Sequence, residues 1–176
     1  EWGSERALTD VRQSLASMNV TFDHWASEKA LIDSGAMETA LEALRAGGWV
    51  DESDGATWLR TSDFGDEKDR VLVKSDGAPT YFAPDIAYHH QKLDRGNLVI
   101  DVLGADHHGY VPRMSAALQM LGHQAASYEA IIGQNVTLVR RGKEVKLSKR
   151  TGTMVEVREL LEAVGPDVAR FAYLLQ

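Results

Sequence analysis

Residues 98–103, Leu-Val-Ile-Asp-Val-Leu, constrain the fold of this chain more than any other stretch. A run this short and apolar suits a parallel strand buried on both faces, since a strand wetted on one side alternates apolar with polar residues. It leads into Gly104-Ala105-Asp106-His107-His108-Gly109, and a helix is expected over 111–121, stopped by Gly122. Upstream, the pattern predicts a short strand at Thr80-Tyr81-Phe82 and a helix over 84–94. Pro84 takes the first helical position, where its missing N–H has no intrahelical partner to lose. A further strand is expected over 129–132. Strands and helices alternating in this order describe an α/β chain with a parallel sheet. Ligands in such sheets bind beyond the carboxyl ends of the strands, which makes the 104–109 loop a candidate site.

The first 78 residues read differently. Leu8, Val11, Leu15 and Met18 predict an amphipathic helix over 5–18, followed by a short strand at Val20-Thr21-Phe22. A helix over 36–46 closes at Gly47-Gly48. β-like runs at 56–60 and 70–74 flank an acidic turn, in which Asp66, Glu67 and Asp69 read as a solvated loop. Trp49 and Trp58 are expected to pack this small α+β region. Toward the other end, a hairpin with arms 136–140 and 143–146 turns at Arg141-Gly142. Helices over 157–163 and 166–175 follow, broken at Gly165-Pro166. The grammar of the chain changes after residue 78.

Composition narrows the function classes. With 44% apolar residues and four Trp, the chain has material for a packed core. No apolar run approaches the roughly 20 residues that span a bilayer, no signal-peptide pattern opens the chain, and no membrane partner is expected. The absence of Cys excludes disulfides and thiolate metal sites and fits a reducing, cytoplasmic compartment. The net charge is −7, yet residues 140–150 hold six Lys and Arg against one Glu, so that segment carries +5 and the remainder −12. Such asymmetry points to a localised anion site rather than a broad nucleic-acid face.

Three constellations could carry chemistry. Lys146 and Lys149 flank Ser148 in the basic segment, between Gly142 and Gly152. This is not a Walker A loop, because no Gly stands five residues before Gly142-Lys143. It is either a solvated charge run or a loop whose ammonium groups meet a polyphosphate. Tyr81 and Asp85 bracket the start of the 84–94 helix. Asp85 there complements the helix dipole, worth about 0.3–1 kcal/mol. Asp106-His107-His108 admits a metal site, a helix cap with packed imidazoles, or contacts to a substrate. His89-His90 falls inside a helix and reads as a surface or partly buried pair.

Longer stretches favour one reading of each. Lys146-Leu147-Ser148-Lys149-Arg150 resembles the Lys-Met-Ser-Lys-Ser signature of class I aminoacyl-tRNA synthetases. "FGDEKDRVLVKSDGAPTYFAPDIAYHHQK", "DVLGADHHGYVPRM" and "GPDVARFAYLL" resemble the arginyl-tRNA synthetase family, and the likeness runs from "VTFDHWASE" to the end of the chain. It implies the second half of a Rossmann-like nucleotide-binding domain (79–152), an inserted α+β region before it (1–78), and helices leading toward an anticodon-binding domain (153–176). By resemblance Lys146, Ser148 and Lys149 are catalytic, with Lys149 on the ATP phosphates. Tyr81, Asp85 and His107 would bind arginine, while Gly104 and Asp106 would join Lys149 in holding ATP. Leu147 for Met conserves volume, and Arg150 replaces the final Ser of the signature.

The implied activity is ATP-dependent activation of L-arginine followed by transfer to tRNA(Arg), with Mg2+ arriving as the ATP complex and no protein metal site. In this family arginine activation generally waits for tRNA. No His-Ile-Gly-His type signature occurs, and the chain starts without Met and ends on an apolar helical run. It therefore reads as a central piece of a monomeric enzyme, inactive alone and prone to self-association through an uncovered sheet. Two other readings are a non-catalytic nucleotide- or amino-acid-binding module, and metal-dependent hydrolysis through Asp106, His107 and His108.

Overall fold

A computed structural model describes residues 2–134, 136–140, 142–144 and 155–175. In chain order the elements are α1 (Trp2–Ser17), α2 (Glu28–Asp33), α3 (Ala36–Ala46), β1 (Val50–Ser53), β2 (Ala56–Leu59) and β3 (Arg70–Val73). After these come α4 (Phe82–Arg95), β4 (Val99–Gly104), α5 (Val111–Met120), β5 (Tyr128–Gly133), β6 (Val139–Arg140), β7 (Lys143–Glu144), α6 (Val157–Val164) and α7 (Pro166–Leu174). They form two compact units, one of residues 26–133 and one of residues 1–25 with 134–176.

The 26–133 unit holds a three-stranded antiparallel sheet, β1-β2-β3, and a parallel pair, β4 with β5. The parallel register runs from Val99 opposite Tyr128 to Gly104 opposite Gly133. Leu44, Leu59, Leu72, Ile86, Met114 and Leu118 are its largest fully buried apolar side chains. Each contributes about 1.5–3 kcal/mol through removal from water. They come from both sides of residue 78, so the expected α+β region and the α/β segment share one core.

Several local expectations are corrected. No strand forms at 80–82: the Thr80 amide donates to the Leu72 carbonyl, and α4 begins at Phe82, two residues earlier than expected. Pro84 is therefore the third helical residue, still within the first turn, where its amide has no partner to lose. Tyr81 adopts helical dihedrals at the cap and is 87% exposed, rather than lying on a strand. Residues 20–22 are not a strand either, whereas α2 and β1 were not anticipated.

The run at 98–103 also departs from its expected two-sided burial. Val99 is buried, but Ile100 and Val102 are exposed, Val102 at 75%, as is Ile131 opposite it on β5. Only one face of the parallel pair packs on the core. The acidic turn is not simply solvated. Asp66 is buried and takes two bonds of 2.6 Å from the Arg70 guanidinium, while Asp69 accepts from the amide and hydroxyl of Ser62. Burial opposes ionisation of Asp66, but the bonds from Arg70 and Thr61 outweigh it and hold the carboxyl below its usual range. Trp49 does pack as expected, edge-on to Phe64 at 5.2 Å.

In the second unit, α1 forms as predicted, yet Leu8 and Val11 on its apolar stripe are exposed. Arg12 lies over the Trp25 ring at 4.7 Å. β6 and β7 pair across a turn in which Gly142 adopts φ 75°, a left-handed conformation that favours glycine. Gly165 separates α6 from α7, and Pro166 opens α7, as expected.

Candidate functional site

The start of α4 presents Tyr81, Pro84, Asp85 and Tyr88 at helical spacing, so all four share one face. Opposite them stands the start of α2, where the Ser27 side chain caps the helix by accepting from the Ala30 amide at 3.2 Å. Ala26, Ser27, Glu28 and Leu31 complete a pocket of about 380 Å³ with those four. Two carboxylates, two phenols and a Leu wall make a cavity suited to a planar cation on an aliphatic stem.

Asp85 is half-buried, and its Oδ2 accepts a bond of 2.5 Å from the Tyr110 hydroxyl. No described side chain binds its other oxygen. Burial, then the neighbouring Asp85 carboxylate, push the Tyr110 hydroxyl far above the ordinary tyrosine range, so it stays a neutral donor.

A polar network fixes α4 from behind. His89 Nδ1 meets the Asp85 carbonyl at 2.7 Å, and His89 Nε2 meets Asp101 Oδ2 on β4 at 2.6 Å. The imidazole thus bridges a backbone oxygen of α4 and a carboxylate oxygen of β4. Lys92 donates to the other Asp101 oxygen at 3.0 Å, and the Tyr128 hydroxyl on β5 adds a bond of 3.2 Å. Burial alone would raise the Asp101 carboxyl, but the bond and charge of His89, followed by those of Lys92, hold it at about 2. Of the pair expected to be surface or partly buried, His89 is a buried anchor between helix and sheet. His90 pairs separately with His123, at 2.7 Å between Nδ1 and Nε2.

The loop at the end of β4 is a 3-10 turn over Ala105–Tyr110. Asp106, His107 and His108 are exposed, with His107 Nε2 3.8 Å from Asp106 Oδ2. A Cβ on Gly104 would lie 2.7 Å from Asp106 Oδ1, so glycine there leaves room for the carboxylate to fold back over the strand end. Among the described residues, no three His, Asp or Glu side chains gather as a metal-ligand set. No described helix is long and apolar enough to cross a membrane.

Tyr81 and Asp85 thus come together in one pocket, while Gly104, Asp106 and His107 share the neighbouring loop. Lys146, Ser148 and Lys149 lie outside the described residues. Sequence reasoning missed Glu28, Tyr88 and Tyr110. The Ser27 cap ahead of Glu28 marks a helix start, and Tyr88 stands seven residues after Tyr81, two helical turns along the same face. Nothing local signals that Tyr110 reaches Asp85.

Comparison with known proteins gives the family of this fold. Residues 4–170 match the family profile of tRNA synthetases class I (R), catalytic domain. The chain is 51% identical over its whole length to an arginine–tRNA ligase of Bacillus pumilus, and 52% identical over 98% of its length to that of Aquifex aeolicus. It spans 32% and 30% of those curated relatives. A Campylobacter jejuni crystal structure assigned as an arginyl-tRNA synthetase superposes with a TM-score of 0.91 at 36% identity. That superposition covers 99% of this chain and 38% of the other. An arginyl-tRNA synthetase of Thermus thermophilus shares the fold, with a TM-score of 0.73 at 20% identity over 86% of this chain and 31% of its own. The chain belongs to the catalytic-domain family of the class I (R) tRNA synthetases.

Proposed function

We propose that the protein carrying this chain is an arginine–tRNA ligase, activating L-arginine with ATP and passing it to tRNA(Arg). The observation that carries this reading is the pocket between α2 and α4, in which Asp85 and Glu28 stand among Tyr81, Tyr88 and Leu31. A guanidinium is planar, permanently charged and stacks on aromatic rings, which this lining matches. A charge-assisted bond to Asp85 contributes about 1.5–3 kcal/mol, or roughly ten- to a hundredfold in affinity.

In activation, a carboxylate oxygen of arginine attacks the α-phosphorus of ATP and pyrophosphate leaves. The nucleophile belongs to the substrate, so the protein needs to align the two and neutralise charge. Lys149 meets the charge growing on the leaving group, and Lys146 and Ser148 shape its loop. Gly104 and Asp106 hold the nucleotide, while His107 faces the arginine. Magnesium enters as the ATP complex, bound through phosphate oxygens rather than by a protein cage. Residues 1–78 act as the inserted region, 79–152 as the catalytic half and 153–176 as the lead toward the anticodon-binding part. The enzyme works in the cytoplasm as a monomer, and this chain alone is inactive and self-associates.

The test is arginine-dependent ATP–pyrophosphate exchange by the intact ligase, with tRNA present. Exchange should collapse in Lys149→Ala and in Asp85→Ala. Wild-type rates in both variants would refute the assignments.

A further inference from the structure

We propose that Tyr110 is a positioning residue for amino-acid recognition, aiming the Asp85 carboxylate into the pocket; this rests on reading that pocket as the arginine site. The Asp85 side chain has two rotatable bonds, and a rotation that is free in water would spread its charge over several directions. The Tyr110 hydroxyl removes that freedom by occupying Oδ2 at 2.5 Å. Oδ1 remains for the ligand. Because burial and the adjacent carboxylate disfavour the phenolate, Tyr110 donates throughout the neutral pH range.

Tyr110 is itself held from three sides. The Phe82 ring on α4 meets it edge-on at 6.0 Å, the Arg113 guanidinium on α5 lies 5.4 Å over its face, and the His107 ring stands at 6.4 Å. It ends the Ala105–Tyr110 turn that carries Asp106 and His107, so one side chain joins the strand-end loop to the amino-acid pocket. Placement of the turn therefore sets the direction of the Asp85 carboxylate. The His89 bond to the Asp85 carbonyl fixes the backbone, and Tyr110 fixes the side chain.

Tyr110→Phe keeps the ring and its three neighbours and deletes only the hydroxyl. In the intact ligase, with tRNA present, the KM for arginine should rise about tenfold, the loss expected for one charge-assisted bond acting through Asp85. The KM for ATP and kcat should stay within about twofold, the pattern of a lost ground-state contact. Preference for arginine over lysine should fall, since a freely turning carboxylate serves a point charge as well as a fork. In a double-mutant cycle, adding Tyr110→Phe to Asp85→Asn should cost nothing further. Additive losses, an unchanged arginine KM, or a melting midpoint that falls together with both KM values would overturn the proposal. Wild-type kinetics in Asp85→Ala would instead refute the arginine pocket itself.

Discussion

Residues 26–133 and the two stretches 1–25 and 155–175 are built from similar amphipathic elements, yet they resolve their apolar surface differently. In the first, α3, α4 and α5 bury their stripes with β2 and β3 around Leu44, Leu72 and Leu118. In the second, Leu8, Val11, Phe171 and Leu174 stay exposed, Phe171 at 65%, and Ala169 is its one buried apolar residue among those described. Periodicity specifies a helix in both. Only packing against something turns that helix into stability, because isolated helices of this length are marginal in water. The pocket with Asp85 sits on the packed unit, as a preorganised binding site requires.

The largest effect that could break this contrast is a core truncation. Leu118→Ala should cost about 2–5 kcal/mol in urea unfolding, whereas Phe171→Ala should change stability by no more than about 0.5 kcal/mol. Equal costs would mean that the two units are supported alike.

Asp101→Asn should cost about 1–3 kcal/mol by unpairing His89 and Lys92 behind the pocket. Its pH signature sharpens the point. The Asp101 carboxyl is held at about 2, below its ordinary 3.8, so its contribution is complete above about pH 4 and is lost as the pH falls toward 2. The gap between wild type and Asp101→Asn should close over that window, as read from urea midpoints.

Amide exchange should separate the units without mutation. Amides of α4 and α5 should approach the protection of global unfolding, while those of α1, α6 and α7 should exchange by local opening. Uniform protection would contradict the contrast. The smallest effect concerns His123, whose pKa is lowered by burial and by the charge of His90. A base with a lowered native pKa stabilises the fold above its unfolded value of 6.5, and that contribution fades as the pH falls below it. His123→Gln should flatten the stability profile between pH 7 and 5.5, measurable by thermal melts.

The order of strands and helices from residue 82 onward was legible because hydrophobic period and glycine stops are local signals. Asp85 and Tyr81 were reachable through motif order. The strand at 80–82 was misread because Thr80-Tyr81-Phe82 favours β structure locally, while hydrogen bonding of Thr80 to Leu72 and the pull of α4 decide otherwise. One-sided exposure of Ile100 and Val102 was hidden for a related reason: an apolar run states what a strand can bury, not what is present to bury it. Tyr110 escaped because its partner is 25 residues away and is found only through the fold.

The central claim, that Asp85 selects a cation, is tested most directly by comparing arginine with citrulline, its neutral near-isostere, in Asp85→Asn. With tRNA present, the intact ligase should lose about a hundredfold in kcat/KM for arginine and little of its residual turnover of citrulline, so the preference narrows sharply. An unchanged preference in Asp85→Asn would contradict the account.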